Sequence, residues 1–352
     1  MLSLVLVLVV IGIVALASAS SDLAKSKLDD TSYYLSHQLI YGLGLGAVGF
    51  LFGLFFPYKN YKKAAPILLL FGIGILLLTF TPLGFTAGGA TRWISLGPIT
   101  VQPAEIIKVV LIIYLAALFS GEKSKRQTDL RRGFIPFIVV CGLISIILFA
   151  QRSTSSVFII MAAAVAVYFV SGAKKKYLLY AVLLGAAAFA ALVAFSPYRL
   201  ERIKTFLEPT ADQGASSYQI TRALITIGSG GLWGVGFGNS LSKKYLPEGI
   251  GDSIFAIIAE EFGFVGATIL ILIFLILTLR GYLAAKHLND PFGKLILIGF
   301  STLIATQAFM HIGSISGIIP LTGVPLPFIS YGGTALVTFM TMSGIMLNIT
   351  RK

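Results

Sequence analysis

Ten apolar runs constrain this chain more than any other feature. They cover approximately residues 1–20, 37–57, 65–82, 104–120, 134–151, 155–172, 177–196, 253–279, 293–313 and 333–350. A helix needs roughly 20 apolar residues to cross a bilayer, and most of these runs reach or approach that length. Only 12% of the 352 residues are charged, against 57% hydrophobic. A soluble domain carries roughly twice that share of charge. A water-soluble enzyme and a disordered chain are both excluded on this ground. The expectation is an all-α polytopic membrane protein: a single integral membrane domain over 1–352 with ten transmembrane helices.

Residues 1–20 end in Ala-Leu-Ala-Ser-Ala-Ser, an ending that suits signal-peptide cleavage. No basic segment precedes the run, and it is long, so it is read as a retained first span. The polar segments then alternate between two sides. One side carries Lys59, Lys62, Lys63, Lys123, Lys125, Arg126, Arg131, Arg132, Lys174, Lys175, Lys176, Arg280, Lys286, Lys294, Arg351 and Lys352. The other is poorer in short-loop basic residues, because most of its cations lie in one long segment, 197–252. The positive-inside rule makes the first side cytoplasmic, with both termini inside. The large loop 197–252, between the seventh and eighth spans, is then extracellular. The net charge of +13 follows from the same rule. No basic stripe is interleaved with aromatic residues, so a nucleic-acid partner is not expected.

The outer segments 83–103, 197–252 and 314–332 are rich in Gly and Pro, yet still carry apolar residues. Backbone of that kind at membrane depth is tolerated where it is buried in protein or lines a cavity. No internal repeat supports a transporter built on inverted halves. The single Cys141 excludes an intramolecular disulfide, and His37, His287 and His311 form no metal-binding spacing. The run Gly228–Gly238 lacks the spacing and βαβ context of a nucleotide loop, and reads as tight turns or a re-entrant segment. Residues 196–207 read as a short amphipathic helix on the outer leaflet.

Asp252 opens the eighth span. An N-cap or first-turn acid would explain it. So would a general base at the membrane boundary, acting on a hydroxyl. Glu260 and Glu261 lie two turns deeper, where acids are costly and face protein. A structural pairing with a Lys or Arg on another helix is the favoured reading there. Glu105 and Lys108 share a helix face after Gln102-Pro103 and can pair. Lys108 either snorkels outward or offers a cation to a phosphate. Arg92-Trp93 is either an interfacial anchor or a diphosphate contact. In the Pro- and Gly-rich segment 320–333, Ser330 and Tyr331 either bond a polar ligand or belong to a structural plug.

Several of these segments together resemble the shape, elongation, division and sporulation (SEDS) family of FtsW, RodA and SpoVE. They are Ala-Ser-Ala-Ser at 17–20, Arg92-Trp93, Gln102-Pro103-Ala104-Glu105 with Lys108, Tyr218-Gln219, Tyr245-Leu246-Pro247-Glu248, Asp252–Ala256, Ala259–Phe264 and Pro320–Gly333. The resemblance runs in order along the whole chain, and the Tyr245–Glu248 version is closer to FtsW. It implies ten spans in the bacterial cytoplasmic membrane and glycosyltransferase activity that polymerises lipid II into peptidoglycan. It also implies a class B penicillin-binding protein transpeptidase as partner. The family's essential aspartate falls on Asp252, as catalytic base. Substrate contacts fall on Arg92, Gln102, Glu105, Lys108, Tyr218, Gln219, Lys243, Lys244 and Ser330, and structural roles on Glu260, Pro325 and Pro327. A divalent cation, Mg or Mn, is compatible with the family chemistry, but the sequence shows no dedicated cage. There are departures. Ile250-Gly251 stand where His-Thr is common, Ser253 where Phe is common, and Gln151–Ser155 replaces a Pro-Asp-Leu-Gly turn. The spacing around Lys243-Lys244 leaves both lysines as candidates. A lipid II flippase and a transpeptidase scaffold are the competing functions.

Overall fold

The computed structural model describes residues 1–87, 90–97, 99–121, 126–194, 200, 202, 205–207 and 215–351. Helices α1 (Leu2–Leu28), α2 (Tyr33–Phe55) and α3 (Tyr58–Leu78) come first. Strands β1 (Gly84–Ala87), β2 (Ala90–Leu96) and β3 (Ile99–Val101) follow. Next are α4 (Pro103–Phe119), α5 (Leu130–Ala150), α6 (Thr154–Val170) and α7 (Lys175–Ala194). The chain ends with α8 (Ala215–Ser229), α9 (Ile254–Lys286), α10 (Pro291–Ile315) and α11 (Gly333–Thr350). Among the described residues, seven of these helices are long and apolar enough to cross a membrane, and α6 is a shorter apolar helix. The polytopic helical fold expected from the apolar runs is therefore present. Most of the proposed helix at 196–207 lies outside the described residues, as do Gly88, Gly89, Lys123, Lys125 and Lys352.

Three local differences from the sequence reading have physical causes. The segment 83–103 is a three-stranded antiparallel sheet, β1-β2-β3, and not an irregular loop. Its Thr, Ile and Trp residues favour extended backbone, and the ladder satisfies polar groups that a loop would leave open. The third span starts at Tyr58, immediately after Pro57, because the Lys-bearing turn 59–63 is helical as well. The second span includes a π-helical stretch, Gln38–Gly44, with Gln38 buried and its Oε1 accepting from Gly332 N at 3.2 Å.

The core sits around α10, which packs against α4, α6, α9 and α11. α2 and α11 lie close together: a Cβ added at Gly53 or Gly344 would strike the other helix's backbone. Small residues that let two backbones approach drive helix association in lipid, where no hydrophobic gain is available. α9 breaks at Gly263, whose φ of 65° and ψ of −167° are not helical.

Candidate active site

Beyond α10, residues 316–332 cross the mouth of the bundle as an extended strap. Pro320, Pro325 and Pro327 forbid a helix here and remove backbone donors. The strap's carbonyls must therefore find partners elsewhere. Side chains from other elements supply them. Ser155 Oγ donates to Thr322 O at 2.6 Å, and an Arg202 amino group to Leu321 O at 2.8 Å. His311 Nδ1 donates to Val324 O at 2.7 Å, and Gln307 Nε2 to Pro325 O at 2.9 Å. At its far end the strap is tied to the turn before α9. Tyr331 N donates to Ile250 O at 2.9 Å, and Ser330 Oγ to Gly251 O at 2.8 Å while accepting from Leu326 N at 2.8 Å.

Asp252 lies in that turn. The N-cap of α9 is Ser253, not Asp252, and its hydroxyl donates to Pro247 O at 2.8 Å and accepts from Gln219 Nε2 at 3.1 Å. Capping therefore does not account for the aspartate. Its carboxylate lies against the strap: a Cβ added at Gly323 would come within 3.3 Å of Asp252 Oδ2. Gly323 has φ +62°, so both its space and its conformation suit glycine. The Asp252 carboxyl is raised from 3.8 to about 6. Burial is the main cause and the Glu248 charge adds to it, while Arg202 and Arg92 pull the other way.

Under the strap is a cavity of about 350 Å³, the size of a ligand pocket. Gly323 and its neighbours form one wall. Arg92, Arg152 and Arg202 bring three guanidinium groups to its lining, and Gln102 and Glu105 bring two polar side chains. Phe158, Phe189 and Phe309 also line it, and each is more than 40% exposed on the molecule's surface. The cavity thus joins a cationic lining to an apolar opening. Arg92 is carried on β2 and donates to the carbonyls of Gln151 (3.3 Å, through Nε) and Arg152. The sheet thereby pins the turn before α6, where Arg152 has φ 57°.

Lys108 does not line this cavity. It is buried, with Nζ 2.6 Å from both Glu105 Oε1 and Gln307 Oε1 and over the Phe339 ring. Snorkelling is thereby ruled out for it. The second Glu105 oxygen, Oε2, is buried without a hydrogen-bond partner. Glu260 and Glu261 also differ from the expectation, since among the described residues neither pairs with a Lys or Arg. Glu260 accepts from the hydroxyls of Ser229 (3.1 Å), Ser242 (2.8 Å) and Ser240, and Glu261 from Ser18. Lys243 and Lys244 separate clearly. Lys243 Nζ donates to Gly238 O at 3.1 Å and faces Asp22 at 3.7 Å, while Lys244 is exposed. Tyr218 is exposed beside Arg222. Pro325 lines the cavity, and Pro327, further along the strap, is buried.

Sequence reasoning missed Arg152, Arg202, Gln307 and His311 as parts of this region. Arg152 stood out only as a departure from a familiar turn. Gln307 and His311 are four apart on one face of a largely apolar helix, and that spacing was the available signal. No group of three or more His, Cys, Asp or Glu able to hold a metal ion occurs among the described residues.

A polytopic membrane bundle whose strap covers an arginine-lined cavity holding Glu105, with the Asp252 carboxylate against Gly323 of that strap, defines the class of this protein. The model of the FtsW, RodA and SpoVE cell cycle proteins matches residues 1–352, and the chain belongs to that family. Stage V sporulation protein E of Bacillus subtilis (strain 168) is 35% identical over 98% of this chain and 94% of its own length. A probable peptidoglycan glycosyltransferase FtsW of Geobacter sp. (strain M18) is 35% identical over 100% of this chain and 96% of its own. Among solved structures, a chain of a peptidoglycan synthase complex that coordinates polymerization and crosslinking superposes with TM-score 0.81 at 25% identity. It covers 99% of this chain and 96% of that one. The rod shape determining protein RodA of Thermus thermophilus gives TM-score 0.73 at 25% identity over 99% of this chain and 95% of that one.

Proposed function

We propose that this chain is a peptidoglycan glycosyltransferase that polymerises lipid II at the outer face of the bacterial cytoplasmic membrane. The observation that carries the reading is the Asp252 carboxylate against Gly323, on the strap that walls a cavity lined by Arg92, Arg152 and Arg202. The ordered family match supports it along the whole chain. In this reading there are ten spans, both termini are cytoplasmic and 197–252 is extracellular.

Lipid II presents a diphosphate joined to a polyprenyl chain. The guanidinium groups meet the diphosphate, as charge-assisted donors do, and the phenylalanines at the opening meet the chain. Asp252 removes the proton from the acceptor sugar hydroxyl as that oxygen bonds to the donor's anomeric carbon. The bond from this carbon to the phosphate oxygen breaks, and the arginines stabilise the departing lipid diphosphate. A carboxylate with a raised pKa accepts a proton better than an ordinary one. Ser330, Gln219 and Ser253 hold the turn that aims it. Lys108 acts from below by fixing Glu105, whose second oxygen is placed for a hydroxyl or amide donor of the substrate. A divalent cation bound here would rely on the diphosphate and one or two carboxylates, Glu105 and Asp252 being the candidates. It would add positive charge at the leaving group. The crosslinking partner is a class B penicillin-binding protein.

The test compares wild type and Asp252→Asn on a glycan-length gel with purified protein and fluorescent lipid II, with and without the transpeptidase. The expected loss is ~10²–10⁴-fold. Undiminished ladders from the Asn variant would remove Asp252 from the chemistry. No ladder from either protein, with partner present, would favour a flippase or a scaffold.

A further inference from the structure

The segment between Arg222 and Lys243 contains no charged residue, although the reading of the chain places it in an extracellular loop. It descends as the second half of α8, turns over Gly230–Gly238 and returns. The turn is bonded into the break of α9 by four backbone hydrogen bonds. Val235 N and Gly236 N donate to the carbonyls of Glu260 and Glu261, at 3.0 and 3.1 Å. Phe264 N and Val265 N donate to the carbonyls of Gly231 and Leu232, at 2.9 and 3.2 Å. These are groups that a helix interrupted at Gly263 would otherwise leave open. Any side chain at Gly234 or Gly263 would collide with the facing backbone, so the two strands of chain touch directly. The turn also satisfies itself, with Gly234 N donating to Gly230 O at 2.8 Å and Asn239 N to Gly236 O at 3.2 Å.

Depth follows from helix geometry. At 1.5 Å per residue, the stretch 260–265 lies roughly 10–15 Å along α9 from its first residue. The hairpin tip is bonded to that stretch, so it sits well below the Asp252 turn. There, Leu232 (65%), Trp233 (80%), Phe237 (53%) and Leu241 (77%) are exposed. Phe237 lies beside Phe262 of α9, with ring centroids 6.4 Å apart, and Phe264 on the same helix is also exposed. The apolar surface of the hairpin is thus continuous with the membrane-facing surface of α9. Exposed basic residues flank the segment, Arg222 on one side and Lys244 on the other, while Lys243 is turned onto Gly238 O and Asp22. This is the arrangement of a lipid-facing segment anchored at the headgroups.

We infer that residues 223–242 form a re-entrant hairpin seated in the lipid leaflet on the Asp252 side, with Trp233 among the headgroups and upper acyl chains. Non-helical backbone is tolerated at that depth because the broken helix and the turn complete each other's hydrogen bonds. The inference concerns where the hairpin sits and does not depend on the glycosyltransferase reading.

The chain has only two tryptophans, Trp93 and Trp233. Full-length Trp93→Phe protein in phospholipid vesicles therefore reports on Trp233 alone. With lipids brominated near the top of one acyl chain, its emission is expected to fall by roughly half. Bromines near the chain end should quench less, and aqueous iodide little. Quenching by iodide without bromolipid quenching would place the hairpin in water and overturn the inference. Protection from both quenchers would mean that protein covers it, and would overturn it equally. If Trp93→Phe fails to fold, the difference between wild type and Trp233→Phe gives the same reading. A second measurement uses a Cys141→Ala background and a membrane-impermeant maleimide. Leu232→Cys should react at least about tenfold more slowly than Glu248→Cys in vesicles. Equal rates would overturn the inference.

Discussion

Taking the polymerisation assay from about pH 8 down to about pH 5 protonates Asp252 in a range where ordinary aspartates stay ionised. Its carboxyl is held at about 6 against a usual 3.8. The gap corresponds to about 3 kcal/mol of penalty on the ionised form. At a value of about 6, roughly nine tenths of the molecules carry the carboxylate at pH 7 and roughly one tenth at pH 5. Turnover on the glycan gel should therefore be level above neutrality and fall about tenfold per pH unit below about 6. The causes of the shift predict which variants move this limb. Glu248→Gln removes a raising charge and should move it to lower pH. Arg202→Gln removes a lowering charge and should move it to higher pH. Stability carries the opposite sign to activity. Because the folded-state value is raised, the contribution of this group is fully present below the ordinary carboxylate value and is lost as pH rises through about 6. Asp252→Asn should thus melt higher than wild type at neutral pH, with the difference vanishing under acid. A flat rate from pH 5 to pH 8, or a limb that neither variant moves, would refute the assignment.

Two further perturbations test the frame around the site. Ser330→Ala leaves the Leu326 N–H and the Gly251 carbonyl without their shared hydroxyl. It should cost about 1–3 kcal/mol in thermal unfolding and lower kcat more than it raises KM. Lys108→Met leaves the Glu105 carboxylate buried without its cation and should cost about 3–5 kcal/mol. Adding Glu105→Gln to that variant should recover most of the melting temperature but not the activity.

The membrane class, the helical segments and the position of Asp252 ahead of a span are all legible in the chain. Apolar length and the placement of Lys and Arg are local properties, and a bilayer acts on them locally. The Pro- and Gly-rich segment 320–333 is equally visible as backbone that cannot be helical. What it crosses is not visible. Its partners come from Ser155, Arg202, Gln307 and His311 on other elements, at separations that no local pattern encodes. The same holds for the acids. Two turns of helix suggested a Lys or Arg opposite Glu260, yet three serine hydroxyls surround it, two of them from the return of the hairpin.

Membrane residence, the approximate course of most helices and a carboxylate beside a glycine turn are written locally in the chain. Tertiary structure alone decided that Arg92, Arg152 and Arg202 line one cavity and that Lys108 is withdrawn from it into a pair with Glu105. The physical reason is reach. Hydropathy and propensity act over a few neighbouring residues, whereas charge neutralisation and carbonyl pairing are settled between side chains brought together only when the bundle closes.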